Sequence, residues 1–543
     1  MNVSRRKFLA ATIATVSFPQ VANSQTLETS GHPASSSTID FTSREAFDAF
    51  DLAWNNGNGN AAQNNENGAL GWGEGWLLQA YVVMYQAHRD TFYLDKIITH
   101  FDQILQKRDN VRDVADWRGK SLPSWRSVGE YTCGELMLKS AQGEEVLQLR
   151  SGARPAERVT ICVEDGQHPD TFKIIATYAP AGTKADDAIV DTYDNLTMDA
   201  ESPDFAVTRI DGEFVNINGG KAGARVMLTA ADARADASNH SAPAPLVGVA
   251  MQAMPSIVAV QTGHLMTPVA TFIRLVNETP ALRDTPKYQA KADEYLEALE
   301  QAVAVHDYEW RENEEGEGWL HWTKGSPNIF DGCDQPHNQS LSLGRVMIQL
   351  AAVTKDPVRK ATYLDRARKM ATTFKNDLQR ANDDTYRWTY FRTKGIAYKG
   401  WTIEDDVSES QPALVWPAPG GVKTVEDTCH GVLDVHFALL AYENGLGVFK
   451  EGDMKRFART FVDKMLTTSK QDEPTVFSNV DGSGIAGTTD NVAAAWIMLA
   501  PYEPKIFEAM HRNFQLRQPM PGAPAIGLGI AYMNWFGRVH GAS

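Results

Sequence analysis

Helical periodicity that recurs in pairs of segments is the feature that most constrains how this 543-residue chain folds. Across residues 70–85 and 93–105, apolar side chains recur at i, i+3 and i+4, which gives each segment one apolar face when it is helical. The same spacing returns at 341–353, 363–378, 432–442 and 454–465. Repeated pairs of amphipathic helices bury their apolar faces by packing against neighbouring pairs. The pattern therefore predicts a mainly α protein, built as an α/α toroid.

Between residues 135 and 235 the helical pattern gives way to a different one. Val159, Ile161 and Val163 alternate with other residues, and a glycine pair marks a turn further along the region. Such alternation with turn residues predicts a small antiparallel β module inserted into the toroid. A stretch rich in Ala, Asp, Ser and Pro at 231–247 predicts the linker back to the helices.

These patterns divide the chain into five parts. They are a signal peptide at 1–24, a flexible leader at 25–43, the first part of the toroid at 44–134, the β-rich insert at 135–235 and the remainder of the toroid at 236–543. The roughly 420 residues outside the insert suffice for about six or seven helical hairpins with helices of mean length and short loops.

The N-terminus has the features of an export signal. Arg5, Arg6 and Lys7 precede a short apolar run and then small residues, a pattern typical of cleavable signal peptides. Paired arginines followed by Phe8 and Leu9 indicate the twin-arginine route. The apolar run is well short of the ~20 residues that a membrane span needs. We therefore expect a periplasmic or secreted protein with no membrane partner.

Charge and cysteine content narrow the range of partners. The formal net charge is −16, which argues against nucleic acid and anionic membranes. It still permits an anionic polysaccharide as the partner, provided that the site itself carries local positive charge. The four cysteines are too few and too scattered for a disulfide framework, and no CxxC or HExxH spacing occurs. We therefore predict neither a metal nor a cofactor.

Candidate functional residues lie where the predicted helices begin. In a toroid of helical hairpins the inner helices converge, and the loops at one end frame a cleft. Four polar and aromatic segments stand at such places: 71–76 with Trp72 and Glu74, 334–339 with His337 and Asn338, 388–401 with Trp388, Tyr390, Arg392, Tyr398 and Trp401, and 426–431 with Glu426 and His430. Core packing of the tryptophans, helix capping and a buried histidine are the structural alternatives.

Two chemistries suit this mixture of residues. In β-elimination from a uronic acid polymer, a base removes the proton α to a carboxylate that must first be neutralised. Asn338, Arg392 or a histidinium would neutralise the carboxylate, and His337 and Tyr398 would move the protons. Hydrolysis instead needs a pair of carboxylates. The acids available for it are Glu74, Glu426, Asp427 and Asp434, with Asp405 and Asp406 as further choices.

Four motifs taken together resemble the toroidal glucuronan and alginate lyases, the family 38-like polysaccharide lyases. They are LGWGEGW at 70–76, PHNQ at 336–339, YFR at 390–392 with Tyr398, and EDTCHGVLD at 426–434. The resemblance covers 44–134 and 250–535 and leaves out the β insert. It implies an α/α toroid that cleaves 1,4-linked glucuronate or mannuronate by elimination, with no cofactor.

Carried onto this sequence, the resemblance implies a role for each matching residue. His337 and Tyr398 become the acid–base pair, and Arg392 lies near the substrate carboxylate. Either Tyr398 is both base and acid with His337 tuning it, or His337 is the base and Tyr398 the acid. The implied substrate-binding residues are Asn338, His430, Trp72, Glu74, Trp388, Tyr390, Trp401 and Glu426. A toroidal glycoside hydrolase, a uronyl epimerase and a non-catalytic glycan-binding protein remain as alternatives.

Overall fold

The computed structural model describes residues 39–540 except 67, 69, 129–131, 181–187, 212–225, 329, 402–419 and 520–522. Its helices are α1 (Arg44–Ala53), α2 (Gly75–His88), α3 (Phe92–Leu105), α4 (Asp109–Arg112), α5 (Ala206–Asp211), α6 (Ala259–Glu278), α7 (Pro280–Arg283), α8 (Pro286–Ala304), α9 (His337–Val353), α10 (Pro357–Asp377), α11 (Ile396–Lys399), α12 (Thr428–Glu443), α13 (Glu451–Thr460), α14 (Asp490–Ala493), α15 (Lys505–Arg517) and α16 (Pro524–Val539). A π-helical turn, Leu70–Glu74, leads into α2, and a 3-10 helix, Ala494–Leu499, continues α14.

The strands are short. They are β1 (Arg126–Ser127), β2 (Gly134–Lys139), β3 (Glu145–Ser151), β4 (Val159–Asp165), β5 (Phe172–Tyr178), β6 (Ile189–Leu196), β7 (Leu228–Asp232), β8 (Leu246–Ala250), β9 (Gln252–Ala253), β10 (Ser256–Ile257), β11 (Trp310–Glu312), β12 (Gly318–Leu320), β13 (Gln379–Arg380), β14 (Tyr386–Arg387), β15 (Leu466–Thr468) and β16 (Pro474–Val476). Every pairing between the named strands is antiparallel.

One set of helices forms a closed ring. Helix α2 contacts α6, α6 contacts α9, α9 contacts α12, α12 contacts α14, α14 with its 3-10 extension contacts α16, and α16 contacts α2 again. Each inner helix has an outer partner, giving the pairs α2/α3, α6/α8, α9/α10, α12/α13, α14/α15 and α16/α1. This arrangement is an α/α toroid, as the helical pattern predicts.

Inner and outer helices differ in burial as a toroid requires. Every residue of α9 from His337 to Ala351 is buried, and so is every residue of α2 from Gly75 to Tyr85. Outer helix α3 instead buries a single face and exposes the other, as amphipathic surface helices do. Gly263 allows the inner helices α6 and α9 to approach closely, because a Cβ there would lie 2.3 Å from the backbone carbon of Ser342.

The β module has its own core. Its two four-stranded sheets have the orders β7-β3-β2-β9 and β6-β5-β4-β8, and Val159, Ile161 and Val163 of β4 lie buried between them. The module extends to Ala253, so β8 and β9 occupy chain that the composition assigns to the linker and the second part of the toroid. Strand β8 is mostly exposed, and its sequence therefore lacks the buried alternation that marks a strand.

The topology brings the starts of the inner helices to one end of the toroid. Because an outer helix returns the chain between successive inner helices, the inner helices run in the same direction. The connections that lead into α6, α9, α12 and α14 each carry strands, namely the β module and the hairpins β11–β12, β13–β14 and β15–β16. We call this end of the ring the mouth. Among the described residues, no helix has the length and apolar character that crossing a bilayer requires.

Candidate active site

Three rings from separate parts of the chain meet at the mouth. The indole of Trp72, just before α2, lies 5.7 Å from the imidazole of His430 on α12, measured between ring centroids. The phenol ring of Tyr390, which follows β14, lies 5.9 Å from the same imidazole. We call Trp72, Tyr390, Asp427 and His430 the mouth site. Three of the four segments singled out by sequence, those that contain Trp72, Tyr390 and His430, therefore converge there.

Helix α12 begins with a carboxylate that fixes His430 in place. Asp427 is the N-cap, and its Oδ1 accepts hydrogen bonds from the backbone N–H groups of Cys429 at 2.8 Å and His430 at 2.9 Å. Its Oδ2 lies 2.5 Å from Nδ1 of His430. An N-cap carboxylate satisfies the unpaired N–H groups of the first turn and interacts favourably with the helix dipole. The Asp427 carboxylate therefore holds both the helix start and the imidazole.

The electrostatics of this pair make His430 a cation. Burial by itself lowers the pKa of His430, but the charge and hydrogen bond of Asp427, helped by Glu426, raise it to about 9. Burial opposes ionisation of Asp427 too, yet the charge and hydrogen bond of His430 lower the pKa of that carboxyl. At neutral pH the pair is an imidazolium and a carboxylate, with the second imidazolium proton on Nε2.

Two carboxyl groups, those of Glu426 and Asp434, lie deeper in the protein than the mouth site. Glu426 is fully buried, with Oε2 accepting from Asn338 Nδ2 at 3.2 Å and Oε1 from the N–H of Asp427 at 3.0 Å. Burial and the nearby Asp434 and Asp427 raise the pKa of Glu426 well above its ordinary value. Burial also raises the pKa of Asp434 to about 8, and its Oδ2 accepts from Trp388 Nε1 at 2.9 Å. Burial therefore opposes the ionisation of both groups.

His337 belongs to a different contact. Its Nε2 lies 3.0 Å from Oδ2 of Asp377 at the end of α10, and its ring lies against Phe374 at 5.3 Å between centroids. Asp377 also accepts hydrogen bonds from the N–H and hydroxyl of Thr393. Burial would raise the pKa of Asp377, but His337 and Thr393 lower it. The pair ties inner helix α9 to outer helix α10.

Arg392 and Tyr398 lie in yet other surroundings. The guanidinium of Arg392 is 3.7 Å from the ring centre of Trp319, and its Nε is 3.3 Å from Oδ2 of Asp334. The ring of Tyr398, on α11, has the ammonium of Lys423 5.6 Å from its centre. Across the described ranges, no hydrogen bond or ring contact joins Tyr398 to His337. The structure thus does not bring the two residues of the implied acid–base pair into contact.

Several of the expected substrate-binding residues are interior residues instead. Trp388 is fully buried and donates to Asp434, and Trp401 is buried with its ring edge against Phe330. Glu74 is fully buried, bonded to Nδ1 of His100 at 3.0 Å and to the N–H of Asn60. These side chains offer no surface for stacking on a sugar or for binding it, so we correct their assignment to structural support.

Asn338 also has a supporting role, because it is buried and its amide donates to Glu426 rather than lying open at the mouth. Asp405 and Asp406 lie outside the described residues. The residue that the sequence underrates is Asp427, which it offers as a hydrolytic acid or, with Glu426, as a carboxylate that favours the helix N-terminal dipole. Its position at the start of a helix, three residues before a histidine, is the signal that would have identified it as the cap and partner of His430.

Glu426, Asp427 and His430 also show a spacing that metal sites share. Their ligand-type atoms all lie within 4.8 Å of one another. The contacts already account for this spacing, because Asp427 caps the helix and accepts a hydrogen bond from Nδ1–H of His430, while Glu426 accepts one from Asn338. A cation would have to displace that proton. That the site works without a metal stays a prediction.

No family model matches the chain, and no curated protein matches it. Among solved structures, it is similar to a family 76 glycoside hydrolase from a bovine Bacteroides thetaiotaomicron strain, with 11% identity, a TM-score of 0.29, and coverage of 74% of this chain and 97% of that chain. A likeness of this strength says nothing about chemistry. The toroid described above depends on the helix contacts of this chain alone.

Proposed function

We propose that this chain is a polysaccharide lyase that cleaves a 1,4-linked uronate polymer, of the glucuronan or alginate kind, by β-elimination at the mouth site. The observation that carries the proposal is the imidazolium of His430, which lies between an indole and a phenol at the end of the toroid where loops converge. A fixed cation suits a sugar that carries a carboxylate, whereas a neutral sugar has no group to pair with it.

In this mechanism His430 neutralises the carboxylate next to the reacting carbon. Removing the proton at C5 spreads negative charge onto the carboxylate oxygens, and a hydrogen bond from Nε2–H stabilises that charge as it develops. The start of α12 adds the positive end of its dipole. Asp427 keeps the imidazole protonated and oriented, so the cation is in place before the substrate arrives.

Tyr390 then carries the proton. A neighbouring positive charge favours the phenolate, which takes the C5 proton as a C4–C5 double bond forms and the C4–O bond breaks. The phenol returns that proton to the leaving oxygen. In glucuronate and mannuronate the proton and the leaving oxygen lie on one ring face, so a single residue serves both steps. Trp72 would hold an adjacent sugar ring against its indole.

This assignment moves the acid–base work away from the pair that the resemblance implies. His337 is sealed against Asp377 and Phe374, and Tyr398 contacts neither His337 nor His430 among the described residues. Tyr390 lies beside a cation, which is the environment that a phenolate base requires. A role for Tyr398 stays a prediction, and the variants described below separate the two tyrosines.

Hydrolysis by paired carboxylates is the competing function. It is favoured by one observation: the neighbours Glu426 and Asp427 have pKa values shifted in opposite directions, as an acid and a base would. However, Glu426 is fully buried, and both oxygens of Asp427 are engaged by α12 and His430. A hydrolytic acid must reach the glycosidic oxygen. The lyase is therefore the better supported of the two.

The test is an assay of the purified protein on glucuronan, polymannuronate, polyguluronate and a neutral β-glucan. Elimination creates a 4,5-unsaturated uronide that absorbs in the ultraviolet, and we expect this signal from at least one uronate polymer and none from the neutral glucan. New reducing ends without the chromophore would establish hydrolysis instead. An altered uronate composition in polymers of unchanged length would establish epimerisation, and binding without any product would establish a glycan-binding protein.

Export by the twin-arginine route completes the proposal, since a secreted or periplasmic location would give access to such polymers. The signal residues lie outside the described ranges, so the support is the sequence pattern of Arg5, Arg6, Phe8 and Leu9. Replacing both arginines with lysine should retain the protein in the cytoplasm. Cell fractionation would locate the variant. Unchanged export would show that the twin-arginine assignment is wrong and would leave the lyase assignment intact.

A further inference from the structure

The axis of the toroid contains a small cavity at mid-depth, separate from the mouth site. Its polar lining comes from Gln79, His264, Arg345, His436 and Tyr532 on five inner helices, and apolar side chains complete the wall. Its volume is ≈ 10 Å³, about the space for one water-sized particle. The rings of Trp72 and Trp76, 5.4 Å and 4.2 Å from that of His264, lie between the mouth and this cavity.

Arg345 brings a positive charge into this enclosed space. Arg345 is only 2% exposed. One terminal nitrogen lies 3.2 Å from Nδ1 of His436, and the other lies 3.3 Å from Nδ1 of His264 and 3.0 Å from the hydroxyl of Ser342. Its Nε has no hydrogen-bond partner. In the part of the chain that the structure describes, no carboxylate is within 4.0 Å of the guanidinium.

The groups around Arg345 provide hydrogen-bond donors without a compensating charge. A guanidinium only donates, so the Nδ1 atoms of His264 and His436 accept and their protons are on Nε2. Nε2 of His264 is itself buried without a partner. Burial and Arg345 lower the pKa of His264 well below its ordinary value and that of His436 to about 3, so both rings are neutral.

The acidic groups whose charges act on Arg345 are Asp434 and Tyr532, and both are buried. Burial lowers the pKa of Arg345 only to about 9, so it remains a cation. Burial raises the pKa of Asp434 to about 8 and also raises that of Tyr532, which opposes the ionisation of both groups. Burying a charge in the interior of a protein costs much free energy unless the charge is paired.

We propose that the axial cavity binds a single halide ion, held by the Nε–H of Arg345. An anion supplies a negative charge beside a guanidinium that forms no ion pair with a carboxylate of the described residues. The cavity volume admits one atom and excludes sulfate, phosphate and carboxylates. This inference is independent of the chemistry at the mouth site.

The test compares thermal unfolding of the full chain in sodium gluconate, sulfate, chloride and bromide at equal ionic strength. We expect a saturating rise of the midpoint with chloride or bromide, and none with gluconate, because a ligand that binds only the folded state stabilises it by mass action. Crystals soaked in bromide should show an anomalous peak beside Nε of Arg345. Equal midpoints in all four salts, or no peak at that position, would overturn the proposal and leave a water molecule as the occupant.

Variants make the test specific. Arg345→Met should abolish the halide response, and Arg283→Met, at an exposed arginine of α7 beside Asp284, should preserve it. If Arg345→Met does not fold, Arg345→Lys replaces it, because lysine keeps a positive charge and lacks the Nε–H. The concentration of chloride for half the stabilisation should then rise at least several-fold. A halide response that is the same in wild type and Arg345→Lys contradicts the site.

Discussion

Two histidine–carboxylate pairs stand at the starts of neighbouring inner helices, and they differ in one respect that decides their roles. His337 and Asp377 are joined at 3.0 Å, and His430 and Asp427 at 2.5 Å. Both side chains of the first pair are 4% exposed, whereas those of the second are 17% and 36% exposed. The same kind of contact is therefore buried within one helical hairpin and partly exposed at the mouth in the next.

The origin of each carboxylate explains the difference. Asp377 comes from the end of the outer helix, so its contact with His337 necessarily lies between inner and outer layers, where Phe374 covers it. Asp427 comes from the cap of the same helix that carries His430, so this contact needs no outer helix and the ring is left at the mouth. The histidine whose carboxylate partner lies on its own helix thus remains at the mouth, whereas the histidine whose partner lies on the outer helix is buried and has a structural role.

The largest expected effect comes from removing the proton carrier beside the exposed pair. Tyr390→Phe should lower the elimination rate about 10³-fold, the range expected for a general acid–base group, while the unfolding midpoint changes little. Initial rates of ultraviolet absorbance measure it. The matched control is Tyr398→Phe, which should keep most of the rate. The reverse result, with Tyr398→Phe inactive and Tyr390→Phe active, would return the catalytic role to Tyr398.

Removing the cation of the exposed pair comes next. His430→Asn should lower the rate about 10²-fold, because one preorganised donor to the developing charge is lost. Rates measured across substrate concentrations should show the loss mainly in kcat/KM. A variant that keeps the wild-type rate would show that the substrate carboxylate is neutralised elsewhere, and Arg392→Met would be the next variant to measure.

The sealed pair should respond in stability and not in chemistry. His337→Ala leaves the buried Asp377 without its partner, and we expect a loss of about 3 kcal/mol in the free energy of unfolding. Activity per folded molecule should remain within about two- to three-fold of wild type, since a factor of that size is below 1 kcal/mol. Denaturant titration and rate measurements on the same sample separate the two effects. A large rate loss in a stable variant would make His337 part of the active site.

The contrast between the two pairs also shows how much the sequence determines. Apolar periodicity is local, so it predicts helices such as α9, α10 and α12 and, with them, the toroid. Polar residues at helix starts likewise predict the region of the mouth. What periodicity cannot show is which partner a side chain meets: Asp377 is 40 residues from His337, and Trp388 is buried by Phe374 and Phe457 rather than facing the mouth.

The exposed pair should set the upper limit of the pH profile. The pKa of His430 is raised above its ordinary value to about 9, so the stabilisation from its charge is fully present below about pH 6.5 and lost as pH rises through about 9. Activity should fall over the same upper range. In Asp427→Asn the largest cause that raises this pKa is gone, so the falling limb should move by at least one pH unit toward lower pH. An unmoved limb would mean that another group titrates.

The smallest effect should come from the ring that flanks the exposed pair. Trp72→Ala removes a stacking face for the sugar, and we expect KM to rise about three- to ten-fold with kcat less affected, since an aromatic contact contributes about 0.5–1.5 kcal/mol. Trp72 also contacts Trp76 and His264, so Trp72→Phe is needed to keep an aromatic ring in that packing.

The matched control is Trp388→Phe, at a buried indole. This change should lower stability, because the hydrogen bond from Trp388 to Asp434 is lost, and it should leave KM unchanged. Equal KM values in wild type and Trp72→Ala would place the sugar chain on the other side of His430, against Tyr390. The pair would then still be exposed, but to a substrate that enters between α9 and α12 instead of over α2.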